Sequence, residues 1–346
     1  MPTASPLTAD LDHVLVHTQG LWEPLRGHRL FLTGGTGFFG CWLLESFAHA
    51  NDKLGLNASV LVLTRNVEAF RAKAPHLAAN QAIHFHAGDV RSFEFPKGKF
   101  SHVIHAATDA SARLNEEEPS LMYDTIVEGT KRVLDFALAA STTRFLVTSS
   151  GAVHGPQPPD VPYVPEDFGG GSSPTAPRNA YAEGKRAAEE LCASYAQHYG
   201  LHSLIPRCWA FVGPYLPLDI HFAIGNFIRD ALKGGPILVN GDGTPYRSYL
   251  YAADLAIWLW TILFKGQSCR PYNVGSENDL PIGEVARVVA ECFQPPREVR
   301  IGRKPNPGQL RQAYVPSTER ARRELGLRET ISVVDGIKRT ITWHKR

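Results

Sequence analysis

The stretch Leu32-Thr33-Gly34-Gly35-Thr36-Gly37-Phe38-Phe39-Gly40 leaves this chain few folds to choose from. It follows a short apolar run, Leu30-Phe31-Leu32, and opens a helix-like one, Cys41-Trp42-Leu43-Leu44-Glu45-Ser46-Phe47. Strand, glycine-rich turn and helix in that order form a cradle for a pyrophosphate. Gly34 permits the tight turn, Gly37 lets backbone approach phosphate, and Gly40 lets helix pack close on sheet. The helix N-terminus adds free N–H groups and the positive end of a dipole. Glycine clusters also make ordinary turns, so the run gains its meaning from a second motif, Tyr181-Ala182-Glu183-Gly184-Lys185. Together the two point to chemistry done with a nicotinamide dinucleotide.

With 346 residues the chain can build a large core, as one α/β domain or two lobes. A net charge of +2 gives no electrostatic reason to expect nucleic acid or an anionic membrane as partner. The longest apolar run, 252–264, is interrupted by Asp254 and reads as a buried helix. It falls short of the roughly 18–20 residues a membrane span needs. The first residues show no basic segment followed by an apolar one, so no signal peptide is expected and the reading is cytoplasmic. Five dispersed cysteines without a C-x-x-C pair suit free thiols and argue against a zinc site.

Residues 1–27 form an N-terminal extension, with Leu11, Val14 and Leu15 suggesting an amphipathic helix and Trp22 and Leu25 anchoring it. From 28 onward short apolar strands (60–63, 83–85, 103–105, 145–148) alternate with helical stretches (121–140, 180–200). Such strands imply a parallel sheet covered on both faces, a Rossmann-type doubly wound α/β fold. The expected division is a dinucleotide-binding domain over 28–213 and a smaller, mainly substrate-binding lobe over 214–346, with the chain crossing between them. Residues 156–177, rich in Pro and Gly, read as a long loop on the substrate side. The mixed-charge run 319–324 reads as a solvated helix face. His84, His86, His102 and His105 fall on or near strands, without carboxylate or cysteine partners at metal-ligand spacing.

Tyr181 and Lys185 are four apart and share one helix face. An ammonium beside a phenol favours phenolate, which makes Tyr181 a general base toward a hydroxyl and a general acid in reverse. Thr148-Ser149-Ser150 ends the preceding strand, where ligands of parallel α/β sheets bind. Ser150 is the better candidate to align the reacting oxygen, with Ser149 second. The second strand ends at Thr64-Arg65-Asn66, without the acidic residue that holds an NAD ribose. Arg65 can pair with a 2′-phosphate, so charge logic leans to NADP; Arg65 stacked on adenine would leave NAD in place.

The chain resembles the extended short-chain dehydrogenases/reductases of the NAD-dependent epimerase/dehydratase family over roughly residues 28–330. The resemblance rests on the glycine run, Gly88-Asp89-Val90, His105-Ala106-Ala107, Gly129-Thr130 and 149–155. It also rests on Tyr181 with Lys185, Pro206-Arg207, Val212-Gly213-Pro214, Gly241-Asp242-Gly243 with Arg247, and Tyr272-Asn273-Val274-Gly275. It implies NAD(P) held by Gly34, Gly37, Phe38, Phe39, Gly40, Thr64, Arg65, Asp89, Val90, Ala106, Ala107, Tyr181 and Lys185. It further implies a nucleotide-sugar substrate contacted by Ser150, Asn226 and Arg247, catalysis by Ser150, Tyr181 and Lys185, no metal, and a homodimer.

Departures from the family pattern narrow the reaction. The 4,6-dehydratases place Asp-Glu directly after the catalytic hydroxyl, where Gly151 and Ala152 stand here. Uronic acid decarboxylases usually carry Glu at the position of Ala152, although Glu183-Gly184-Lys185-Arg186 resembles theirs. His154 replaces a common tyrosine and Ala210 a common asparagine. Small residues after the serine suit a 4-epimerase working through a 4-keto intermediate, the favoured expectation. The alternatives are a nucleotide-uronic acid decarboxylase, a 4-keto-sugar reductase, or a dinucleotide-binding sensor without turnover.

Overall fold

The computed structural model describes residues 7–108, 112–171, 179–220, 222–306 and 308–346. The chain begins with α1 (Thr8–His17), β1 (Arg29–Thr33), α2 (Phe38–Leu54), β2 (Ser59–Thr64), α3 (Val67–Lys73), α4 (Pro75–Ala78) and β3 (Ile83–Ala87). Then come β4 (His102–His105), α5 (Ala112–Glu117), α6 (Pro119–Ala139), β5 (Arg144–Val147), β6 (Ser149–Ser150), α7 (Ala180–Tyr199) and β7 (His202–Cys208). They are followed by β8 (Phe211–Val212), α8 (Ala223–Leu232), β9 (Ile237–Val239), β10 (Tyr246–Ser248), β11 (Leu250–Tyr251), α9 (Ala252–Lys265) and β12 (Pro271–Val274). The last elements are β13 (Asp279–Pro281), α10 (Ile282–Glu291), β14 (Val299–Ile301), β15 (Ala313–Tyr314), α11 (Glu319–Leu325) and α12 (Val333–His344).

The main sheet has the order β12-β7-β5-β4-β1-β2-β3, with β6 paired to β7. The pairings from β3 through β7 are parallel. The chain enters at β1, moves outward through β2 and β3, then returns to the other side of β1 at β4. The strand order therefore reverses between β1 and β4, and in open α/β sheets the crevice at such a point takes the ligand. Register puts the strand ends level, since Thr33 lies opposite both Leu63 and His105. This is the doubly wound sheet the alternating pattern predicts. Its strands are apolar because both faces are covered; in β1 every residue after Arg29 is buried. Phe31, Phe100, Phe136 and Phe145 are fully buried in one cluster, each contributing about 1.5–3 kcal/mol of apolar burial.

Contacts divide the chain into two compact units. The first comprises 1–153, 173–207 and 256–272, and holds the glycine turn, α6 and α7. The second comprises 154–172, 208–255 and 273–346. It carries the three-stranded sheet β13-β10-β15 and the pairs β8–β11 and β9–β14. The boundary at 214 expected from the sequence falls inside the second unit, which takes in 154–172 and 208–213 as well. Residues 256–272, most of α9 with the start of β12, belong to the first unit. The composition of the chain carries no mark of these crossings, because α9 is mainly apolar along its length and would suit either core.

The extension forms α1 with Leu11 and Val14 buried, and Trp22 and Leu25 buried behind it. Trp22 packs on Trp260 with ring centroids 4.6 Å apart. Helix α9 is the buried helix expected at 252–264, and no helix among the described residues is long and apolar enough to cross a membrane. The run 319–324 keeps Glu319, Arg322 and Arg323 exposed, as expected, but turns one charged side chain inward. Arg320 of α11 is 16% exposed and lies 3.7 Å from the buried Glu166. Burying a carboxylate without a charge partner is costly, so the guanidinium turns inward. Of the 156–177 loop, residues 172–177 lie outside the described residues.

Candidate active site

The glycine turn joins β1 to α2, and each glycine there answers a different constraint. Gly34 has φ +71°, and a Cβ on it would lie 2.4 Å from the Ala106 carbonyl oxygen at the end of β4. A Cβ on Gly40 would fall 2.3 Å from the Gly34 oxygen. Gly37 meets only the Gly34 oxygen, at 3.4 Å, so nothing in the chain itself requires a glycine there. It sits at the N-cap of α2, which no side chain caps. Open space and uncapped N–H groups fit the pyrophosphate of a dinucleotide. Gly35, which the motif spacing does not single out, is also constrained: a Cβ would lie 2.6 Å from Val62 Cγ1.

The other expected cofactor contacts follow the ends of neighbouring strands. Phe38 and Phe39 start α2, with ring centroids 5.7 Å apart. Thr64 ends β2 and its Oγ1 accepts from the Asn66 N–H at 3.3 Å; Arg65 is exposed beside it. Asp89, after β3, is held by Arg91, whose Nε donates to Oδ1 at 2.9 Å. Arg91 keeps this carboxyl below its usual range, and Arg65 adds to the effect. Val90 packs toward α6, where a Cβ on Gly129 would lie 3.0 Å from Val90 Cγ1. Ala106 and Ala107 follow β4, and the Ala107 N–H donates to Thr33 Oγ1 at 3.2 Å.

His105 holds this edge together. Its Nδ1 lies 2.7 Å from Thr33 Oγ1 and its Nε2 3.2 Å from Thr130 Oγ1, so one ring ties β1 and β4 to α6. Burial, with Lys185 nearby, lowers its pKa to about 3. The sequence shows His105 only as a strand histidine; its place directly before Ala106-Ala107 was the available signal. The unfolded ring titrates near 6.5, so the native state takes up no proton there while the unfolded state does. The contribution of neutral His105 is therefore fully present above about pH 6.5 and is lost as pH falls toward 3, by at most about 1.4 kcal/mol per pH unit. Buried His102, lowered to about 4, acts in the same direction. A His105→Gln variant is expected to show a shallower fall in denaturation midpoint between pH 6 and 4 than the parent. An unchanged slope would show that His105 does not titrate in this way.

Tyr181 and Lys185 lie on the first turns of α7, as expected. The Lys185 Nζ, buried, donates to the Thr148 carbonyl at 2.7 Å and to Thr108 Oγ1 at 2.8 Å. It lies 5.8 Å from the Tyr181 ring centroid. The Tyr181 ring packs beside Met122, Ile126 and Ala188, and the Tyr181 backbone N–H donates to Asn115 Oδ1 at 3.0 Å. Gly184 brings α6 close, since a Cβ there would lie 3.1 Å from Ile126 Cδ1.

The two serines at the strand end have different surroundings. The Ser149 hydroxyl donates to Glu189, and Glu189 is paired with Arg207 at 2.7 Å. Ser150 Oγ accepts from the Ala152 N–H at 3.2 Å, which leaves its own proton available to a ligand oxygen. Gly151 and Ala152 follow in a short 3₁₀ turn (Gly151–His154), with no carboxylate at either position. Arg186 donates to the Val153 carbonyl and so fastens this turn to α7.

Asn226 and Arg247 belong to the second unit. Asn226, on α8, accepts from Arg229 at 3.1 Å, so its amide N–H groups are the part open to a ligand. Arg247, on β10, is half-buried with its guanidinium 5.9 Å from the Tyr314 ring centroid. Where Ala210 replaces asparagine, the adjacent Trp209 donates to Asn273 Oδ1 at 2.9 Å and packs 4.4 Å from Tyr314. His154 also stacks with Trp209, their ring centroids 5.9 Å apart. Among the described residues no group of His, Cys, Asp and Glu is arranged to hold a metal.

A switch-point crevice with a glycine turn on one side and a Tyr/Lys helix on the other defines a dinucleotide-dependent enzyme of the short-chain type. The chain belongs to the NAD dependent epimerase/dehydratase family, whose model matches residues 30–275. It is 30% identical over 315 residues to UDP-glucuronic acid decarboxylase 1 of Arabidopsis thaliana, covering 91% of this chain and 69% of that one. Among solved structures it is similar to a dTDP-glucose 4,6-dehydratase from Streptomyces venezuelae with NAD bound. That match has 25% identity and a TM-score of 0.74, covering 92% of this chain and 97% of the other. It also shares the fold of UDP-glucose 4-epimerase from Thermotoga maritima, at 22% identity and a TM-score of 0.74, over 92% and 98% of the two chains.

Proposed function

We propose that this chain is a nucleotide-sugar enzyme that oxidises the C4 hydroxyl of a nucleotide-linked uronic acid and releases its carboxyl group as CO2. One observation carries the reading: the chain is similar along 91% of its length to a UDP-glucuronic acid decarboxylase and has Ser150, Tyr181 and Lys185 in place, while Gly151 and Ala152 lack the carboxylates of a 4,6-dehydratase, Ala152 standing where the decarboxylases usually carry Glu. Elimination of water across C5 and C6 needs an acid and a base at those positions. Loss of CO2 does not, because a ketone at C4 makes the substrate a β-keto acid, which decarboxylates once the carboxylate is unprotonated and unpaired. The decarboxylase relative and the Glu183-Gly184-Lys185-Arg186 stretch support this outcome over the epimerase expected first. The epimerase remains the second reading, because Gly151 and Ala152 leave room for a 4-ketone to turn over.

In this reading Ser150 donates its hydroxyl proton to the C4 oxygen and fixes it beside Tyr181. Tyr181 takes the C4 hydroxyl proton as general base, and Lys185 favours its ionised form. When bound, a nicotinamide dinucleotide would supply the hydride acceptor and would give the same hydride back to C4 after a proton has replaced CO2 at C5, which yields the pentose. Gly34 to Gly40 hold its pyrophosphate, and Arg247 clamps the substrate diphosphate through its guanidinium fork. The α6 and α7 faces are the proposed contact of a homodimer.

Product analysis by NMR after incubation with UDP-glucuronate tests the proposal. A UDP-pentose with one CO2 per turnover is expected. A UDP-hexuronate epimer without CO2 favours the second reading, and stoichiometric loss of reduced cofactor favours a reductase. Arg65 supplies the cofactor test. Neither Thr64 nor Asn66 repels a 2′-phosphate, so Arg65→Ala is expected to weaken NADP binding about tenfold more than NAD binding. Equal weakening of both in calorimetry would place Arg65 on the adenine instead.

A further inference from the structure

On α7, Glu189 lies four residues beyond Lys185 and eight beyond Tyr181, so the three share one helix stripe. Tyr181 and Lys185 have assigned roles in the proposed reaction, but Glu189 does not. Its surroundings are unusual for a helix carboxylate. Arg207 of β7 grips it with two nitrogens, at 2.7 Å and 3.0 Å. The side chains of the pair are only 13% and 14% exposed. The Ser149 hydroxyl donates to the same carboxylate. Ser149 shares a peptide group with Thr148, whose carbonyl receives Lys185 at 2.7 Å. The next residue is Ser150. Helix α7 thus holds the strand end through Lys185 at Thr148 and Glu189 at Ser149, with Arg186 at Val153 beyond.

We propose that Glu189 and Arg207 are positioning residues that hold the Ser149 side chain, and through it set Ser150 and the Lys185 acceptor relative to Tyr181. The inference rests on Tyr181 as the acid/base. The charged and titratable groups near it include Glu183 and Arg186 paired on the same helix, Lys185 one turn away with the buried His105 near it, and Glu189 two turns away with Arg207 against it; near Glu189 also lie the Ser149 hydroxyl and the thiol of Cys192. The ion pair cancels its own field along the stripe while both members are present.

The test is the pH at which Tyr181 ionises, read by ultraviolet difference absorbance against a Tyr181→Phe blank. This readout needs no substrate. Two helical turns span about 12 Å. At that range an uncompensated charge moves the ionisation by about one pH unit or less. Glu189→Gln leaves Arg207 unpaired and is expected to lower the midpoint. Arg207→Met leaves Glu189 unpaired and is expected to raise it, and the double variant should return close to the parent. Shifts in the same direction, or none, overturn the proposal, since the pair would then not act on Tyr181 along this stripe; opposed shifts support it, and the kcat of Ser149→Ala tests the tether itself.

Ser149→Ala removes the tether without changing charge and covers the case where an ion-pair variant does not fold. It should leave the Tyr181 midpoint in place and lower kcat about tenfold with KM unchanged. Parental kcat in Ser149→Ala would also overturn the proposal. A parent protein that turns over no uronic acid would count against the proposed function and leave the titration result standing.

Discussion

Tyr181→Phe is expected to lower turnover by about two to four orders of magnitude without changing the melting temperature by more than a few degrees. The ring stays in place beside Met122, Ile126 and Ala188, and the Tyr181 backbone N–H keeps its bond to Asn115. Only the phenol oxygen is removed, and with it the one proton acceptor proposed for the C4 hydroxyl. Steady-state kinetics with calorimetry on the same preparation separates the two quantities. A loss below about tenfold would move the acid/base role to another group.

The second large effect lies in the glycine turn. Gly34→Ala must place a methyl 2.4 Å from the Ala106 oxygen and adopt φ +71°. The left-handed backbone alone costs roughly 1–2 kcal/mol. The clash is with backbone, so the β1–β4 edge must open, and that edge is also where His105 ties Thr33 to Thr130. The variant is expected to melt well below the parent and to lose dinucleotide binding. Gly37→Ala is the informative contrast. Its φ of −81° is open to alanine, and its only near neighbour is the Gly34 oxygen at 3.4 Å. It should keep the parental melting temperature yet lose dinucleotide affinity, because the methyl points into the space left for phosphate. Thermal denaturation with titration calorimetry checks both; equal losses of stability in the two variants would contradict the division of roles.

Much of the site is legible in the sequence because its chemistry is local. The glycine turn, the Tyr181–Lys185 spacing and the strand-end serines each depend on residues within a few positions of one another. The sequence ranks Ser150 above Ser149, but the contact that separates them is not local: Glu189, forty residues away, captures the Ser149 hydroxyl. His105 is similar: its partners Thr33 and Thr130 come from two other elements. The inward turn of Arg320 depends on Glu166, far upstream in the chain. The inner strands β1, β2 and β5 were legible because burial on both faces makes them largely apolar. The repeated passage of the chain between two units was not, because apolar segments such as α9 read alike whichever core they enter.

The claim that oxidation takes place at C4 admits a direct measurement. Uronic acid substrates carrying deuterium at C4 or at C3 would be compared with the unlabelled compound in a single turnover. The proposed site predicts slower product formation with the C4 label and an unchanged rate with the C3 label. A rate that responds to C3 and not to C4, or to neither, would contradict the roles given to Ser150 and Tyr181.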